Sequence, residues 1–112
     1  MADVWVLDTP LQERRTSILV RADAITYLSC DRHKLIASRL ESEETVALAQ
    51  EGTYMGKRTP PLPENFHTAL LAAIGQARKQ ADTTGEDQVL MAETDDHDEW
   101  SWGVFPLADM AV

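Results

Sequence analysis

Asp95, Asp96, His97, Asp98 and Glu99 form a strongly acidic run of five titratable side chains. Carboxylate oxygens suit Ca²⁺ or Mg²⁺, and an imidazole among them could recruit a transition metal. The run lacks the Asp-x-Asp-x-Asp-Gly order of an EF-hand loop and the bidentate Glu that follows it. A solvated turn, whose charges keep a hairpin from pairing edge to edge, is the preferred reading. A small enzyme or metal binder at Asp95–Glu99 is the second alternative to the main functional reading. No metal ligand and no cofactor is assigned.

The remaining candidates for catalysis are sparse. His33, His67 and His97 fall in three different segments, and none has a Cys or His partner at zinc-ligand spacing. Cys30 has His33 three residues on, which could make a nucleophile and its base. No oxyanion donor or third member accompanies them, so Cys30 is expected to be a small buried hydrophobe. Gly52 and Gly56 do not make a phosphate loop, because Gly56-Lys57 is followed by Arg58 rather than Ser or Thr. No catalytic residue is assigned, and the chain is read as a non-enzyme.

Binding is the other possibility. Trp100 and Trp102 alternate, which puts both indoles on one face of a strand. Such a pair belongs to a core or, next, to a protein interface. A base-stacking platform would need basic neighbours, and the neighbours are Asp98 and Glu99. Tyr54, Met55, Lys57 and Arg58 place an aromatic ring and positive charge together in a glycine-containing loop. Arg14, Arg15, Arg32 and Lys34 lie in other turns and could join them in one basic patch. Scattered solubilising charge is the preferred reading there. Tyr54, Met55, Lys57, Arg58, Trp100 and Trp102 are thus the candidate interaction surface.

The elements that must position these residues follow from periodicity. Short apolar runs divided by Asp, Arg, Ser and Glu clusters read as strands at about 4–7, 17–21, 25–30, 34–40 and 45–49. Connections this short suit antiparallel neighbours. The expectation is a meander over residues 4–49, followed by a loop at 50–62 with Gly52, Gly56, Pro60 and Pro61. A helix is expected over 63–80, opened by Pro63 at its first position. Glu64 in its first turn and Arg78 and Lys79 in its last would complement the helix dipole. Phe66, Leu70, Ala73, Ile74 and Ala77 share one face, widened by Leu71. Gly75 in the helix interior is expected where the helix approaches the sheet. A polar linker at 81–87 leads to a hairpin at 88–105 and a tail at 106–112.

With 112 residues, the chain has the length of one domain. The formal net charge of −9 repels phosphate backbones and argues against a general nucleic-acid binder. One cysteine allows no internal disulfide. The first ten residues lack the basic and apolar regions of a signal peptide, and no apolar run reaches the roughly 20 residues of a membrane span. A cytoplasmic protein is expected. Frequent Ala, Arg, Asp and Glu with few Lys suit a bacterial, GC-rich genome.

No family is assigned. The order of an Ala-Asp-x-Ile-x-x-Leu segment, strand, acidic turn, strand, loop and Phe-x-x-x-Leu helix resembles LytTR-type DNA-binding domains and small Sm-like barrels. The resemblance covers about half of the chain. It rests on Ala22, Asp23, Ile25, Leu28, Val46, Phe66 and Leu70, which are fold residues. The net charge departs from that of DNA binders, and no function is carried over.

The fold class expected is α+β: an antiparallel meander, one covering helix, and a C-terminal hairpin that extends the sheet or reaches a neighbouring subunit. The functional expectation is a regulatory or adaptor module acting through an unidentified protein partner, with a homodimer among the options. The first alternative is a nucleic-acid-associated regulator using Arg14, Arg15, Lys57 and Arg58.

Overall fold

The computed structural model describes residues 2–7, 19–30, 33–39, 45–51, 53–54, 57–58, 60–95, 97 and 99–110. Strand β1 (Val4–Leu7) buries Val4 and Val6 and leaves Trp5 and Leu7 half-buried, the two-residue period of a pleated strand. It pairs antiparallel with β2 (Leu19–Arg21). A 3-10 turn over Ala22–Ala24 then leads into β3 (Ile25–Cys30). β3, β4 (Lys34–Arg39) and β5 (Thr45–Gln50) form a three-stranded antiparallel meander, with register shifts between Ile25 and Tyr27 and between Leu35 and Ile36. β6 (Thr53–Tyr54) and β7 (Lys57–Arg58) make a two-residue ladder. Helix α1 (Phe66–Thr84) follows. β8 (Gln88–Thr94) and β9 (Trp100–Pro106) form the C-terminal hairpin, with seven consecutive pairs and no break in register. A short helix, α2 (Leu107–Met110), packs on β9 and β8.

The fold class is α+β, with the meander, the helix and the C-terminal hairpin of the sequence-based expectation. The strands are shared out differently. β1 and β2 leave the meander and join the hairpin in a second sheet of order β2-β1-β8-β9. β1 pairs parallel with β8, Val6 beside Leu90. Short local connections suggest neighbours but cannot announce a parallel partner more than eighty residues away. The hairpin therefore completes a sheet of its own chain.

Helix α1 packs on β8, β9, β1 and β3. Phe66, Leu70, Ala73, Ala77 and Ala81 are its buried positions, spaced three and four apart. They join Val4, Val6, Val20, Leu35, Ala37, Val46, Leu48 and Leu90 in one core. Leu71 is 59% exposed, so the buried face is narrower than expected. Gly75 is exposed too, and a Cβ built on it meets nothing within 4 Å; no sheet approaches it.

The helix begins and ends later than its sequence suggests. Pro63 lies ahead of it and accepts the Phe66 N–H at 3.3 Å. Residues 82–84, expected in a polar linker, are its last turn. The Thr83 and Thr84 hydroxyls donate back to the Lys79 and Gln80 carbonyls at 2.9 Å. Gly85, at φ 73°, ends the helix and donates to the Ala81 carbonyl. A left-handed residue there releases the chain sideways, which favours glycine. Glu64 thus precedes the helix, Arg78 and Lys79 fall short of its last turn, and neither helix end carries the complementary charge expected. Residues 107–110, expected in a tail, are α2.

Candidate functional site

The most distinctive chemistry lies along β9. Trp100 and Trp102 turn the same way, as their alternation requires, and meet Phe66 at the start of α1. Trp102 stacks on the Phe66 ring at 4.8 Å and 17°. Trp100 is tilted against it at 5.8 Å and 60°. Both indole N–H groups are used: Trp100 donates to the Pro60 carbonyl at 2.9 Å and Trp102 to the Phe66 carbonyl at 3.3 Å. Half-buried indoles with satisfied donors are anchors. They fix the β9 backbone against the helix.

The other side of β9 is different. Among the described residues β9 has β8 on one flank and no strand on the other. Two backbone bonds set which of its groups face outward. Asp95 N–H donates to the Glu99 carbonyl at 3.0 Å, and Leu107 N–H to the Asp87 carbonyl at 2.9 Å. In an antiparallel ladder hydrogen-bonded pairs alternate with unbonded ones. The pairs 93–101, 91–103 and 89–105 are therefore bonded to β8. The backbone N–H and C=O groups of Trp100, Trp102 and Val104 point away from it, as does the Pro106 carbonyl. Pro106 sits where no N–H is needed.

Edges of this kind are usually guarded by charge, brevity or a bulge. β2 has three residues, one of them Arg21. β3 is bulged and follows Asp23, which Arg78 binds. β9 is seven residues long, without a bulge or an ionisable side chain. The acidic tip guards the end of the hairpin, and among the described residues no strand covers this edge.

Asp87, expected in a flexible linker, is an anchor. Its carboxylate accepts the Asp3 N–H at 2.7 Å and the Trp5 indole N–H at 3.2 Å. The Gln88 N–H returns a bond to the Asp3 carbonyl at 3.0 Å. These donors, the Asp3 N–H foremost, hold the Asp87 carboxyl below its ordinary value of 3.8. Arg21 pairs with Asp3 at 3.0 Å and lies over the Trp5 ring at 5.9 Å. Beside this anchor Gln88 is fully buried. Its Nε2 donates to the Glu86 carbonyl at 3.1 Å, while Oε1 has no partner among the described residues.

The other sequence candidates are dispersed. Cys30 Sγ lies 3.7 Å from the Pro63 carbonyl, and His33 Nδ1 is 2.9 Å from Glu51 Oε2, so Cys30 and His33 serve different contacts. In the acidic tip the Asp95 carboxylate accepts the His97 and Glu99 N–H groups at 2.8 and 3.0 Å, which makes it a turn brace. Asp96 and Asp98 lie outside the described residues. No three His, Cys, Asp or Glu side chains gather to hold a metal among the described residues. Tyr54, Lys57 and Arg58 contribute backbone to the β6–β7 ladder. Met55, Arg14, Arg15 and Arg32 lie outside the described residues. No helix among the described residues is long and apolar enough to cross a membrane.

Comparison with protein-family models, curated proteins and solved structures finds no match.

Proposed function

We propose that this chain is a small cytoplasmic, non-enzymatic module that acts through protein–protein contacts, as a regulator or adaptor, by adding a partner strand to β9. The unbulged edge from Trp100 to Pro106, unpaired among the described residues and without an ionisable side chain of its own, carries this reading. An extended segment laid along it would collect the outward N–H and C=O groups of Trp100, Trp102 and Val104. Main-chain bonds supply affinity in strand addition, and side chains on alternate positions supply choice. The helix and the Phe66 cluster hold the edge rigid before a partner arrives, which lowers the ordering cost of binding. A net charge of −9 would steer a basic partner towards the molecule.

The test compares the full chain with Val104→Pro in capture from host extract. Proline at 104 removes one outward N–H and no bond to β8. Partners retained by the full chain should be lost by the variant, and binding should slow hydrogen exchange at the Trp102 and Val104 amides. Equal capture by both proteins, with β9 exchange unchanged, would sink the proposal.

A further inference from the structure

We infer that the strand taken by the β9 edge is β9 of a second copy of this chain, in antiparallel register with residue 103 opposite residue 103. The inference rests on the reading of β9 as a docking edge and adds the identity of the occupant.

The register follows from the outward groups. Full overlap of 100–106 with itself puts Trp102 opposite Val104, Trp100 opposite Pro106 and Ser101 opposite Phe105. Trp102 and Val104 then form a hydrogen-bonded pair, each donating to the other's carbonyl. The Trp100 N–H meets the Pro106 carbonyl, and Pro106 is asked for no donor. Every outward N–H of each copy finds an acceptor, and the contact is isologous and closed, as a two-fold dimer requires.

Charge works against this partner, and the strand pairing has to outweigh it. Two copies of net charge −9 repel each other over most of their surfaces. From Trp100 to Pro106 β9 itself carries no ionisable side chain, while Glu93 of β8 reaches over Gly103, so each copy brings one carboxylate near the axis. The two-fold axis stands normal to the sheet, so both α1 helices lie on one face. Arg78 reaches Asp23 on one flank of α1. At 100° per residue the opposite flank carries Ala69, Gln76 and Gln80, again without charge. At the centre, Gly103 leaves room for the Phe105 ring and the Glu93 carboxylate, each of which comes within 2.7 Å of where a Cβ would stand. Glycine opposite glycine adds no Cβ of its own at the axis.

The test is sedimentation equilibrium of the full chain from about 1 to about 500 µM, because a dimer is populated by mass action. A mass of twice 12.5 kDa at the upper end is expected. Added salt should tighten association by screening the two negative bodies. Val104→Pro should weaken it about 10- to 100-fold, through hydrogen bonds lost twice over by symmetry. A second variant keeps the native edge backbone: Ser101→Cys with Phe105→Cys should form an interchain bridge between positions 101 and 105 under mild oxidation. The two lie opposite in an unbonded pair, where Cα atoms come close enough for a disulfide. Ser101→Cys alone should not form it. A monomer at every concentration overturns the inference, and so does a dimer that forms no such bridge. If that monomer's β9 amides are protected by a different protein, only the second copy falls. If they stay unprotected in host extract, the docking reading falls with it.

Discussion

Phe66→Ala is expected to cost about 3–5 kcal/mol, a large part of the roughly 5–15 kcal/mol that holds such a domain together. The Phe66 side chain is fully buried at the point where α1 meets the hairpin. Its removal loses the transfer free energy of the phenyl group and opens a cavity lined by two indoles. Those indoles are held by N–H bonds to the Pro60 and Phe66 carbonyls, so they cannot collapse freely into the gap. Phe66→Leu separates the contributions. It keeps most of the apolar volume and loses the stacked geometry with Trp102, worth about 0.5–1.5 kcal/mol for an aromatic pair. A double-mutant cycle with Trp102→Leu should return a coupling of that size. Urea unfolding read by far-UV circular dichroism gives the energies without relying on the indoles. Tryptophan emission should shift to the red in Phe66→Ala as Trp100 and Trp102 lose their cover. A loss below about 1 kcal/mol with unchanged emission would refute the placement of Phe66 between helix and hairpin.

Three further outcomes follow from single positions. Gly75→Ala should stabilise by about 0.5–1 kcal/mol in urea unfolding, because the site is open and helical; a loss would mean that something occupies that space. Asp87 has a depressed folded-state pKa, so its contribution is complete above the ordinary carboxylate range and disappears as pH falls through the folded value. Asp87→Asn should therefore be less stable at pH 7 and show a shallower loss of stability as pH falls below the ordinary carboxylate range, and parallel acid limbs for the two proteins would remove Asp87 from the clamp. Gln88→Met should change stability by less than about 1 kcal/mol, since it deletes an unpartnered buried oxygen, whereas Gln88→Glu should cost at least about 3 kcal/mol by burying a charge.

Much of the secondary structure is legible locally. Val4 and Val6 alternate with Trp5 and Leu7, and Phe66, Leu70, Ala73 and Ala77 repeat at helical spacing. Ala81 continues that repeat, but Thr83 and Thr84 read as linker because their back-bonding to the helix carbonyls is not a periodic signal. The division into two sheets is not legible. It depends on Val6 choosing Leu90 as a neighbour, a choice made by the whole core. Asp87 shows the same limit. Between Glu86 and Gln88 it looks like solvated linker, and only the approach of Asp3 and Trp5 makes it an anchor. For the candidate site, the shared face of Trp100 and Trp102 is written in their spacing. That β9 ends a sheet is a matter of strand order, which no window of residues contains.

The parallel pairing of β1 with β8 also orders events in time. β1 leaves a ribosome well before the strand that covers one of its flanks, which follows more than eighty residues later. At about 5–20 residues per second that is a wait of roughly 5–20 s. During it β2 is the one strand partner that Val4 and Val6 have among the described residues. Non-local pairing of this kind is slow to form even in the finished chain. A nascent chain is therefore open to holdase binding and to misassembly over that interval. Substitutions in β8 that slow its docking would be read first in the yield of soluble protein during synthesis, before any change in the melting temperature of the molecules that finish folding.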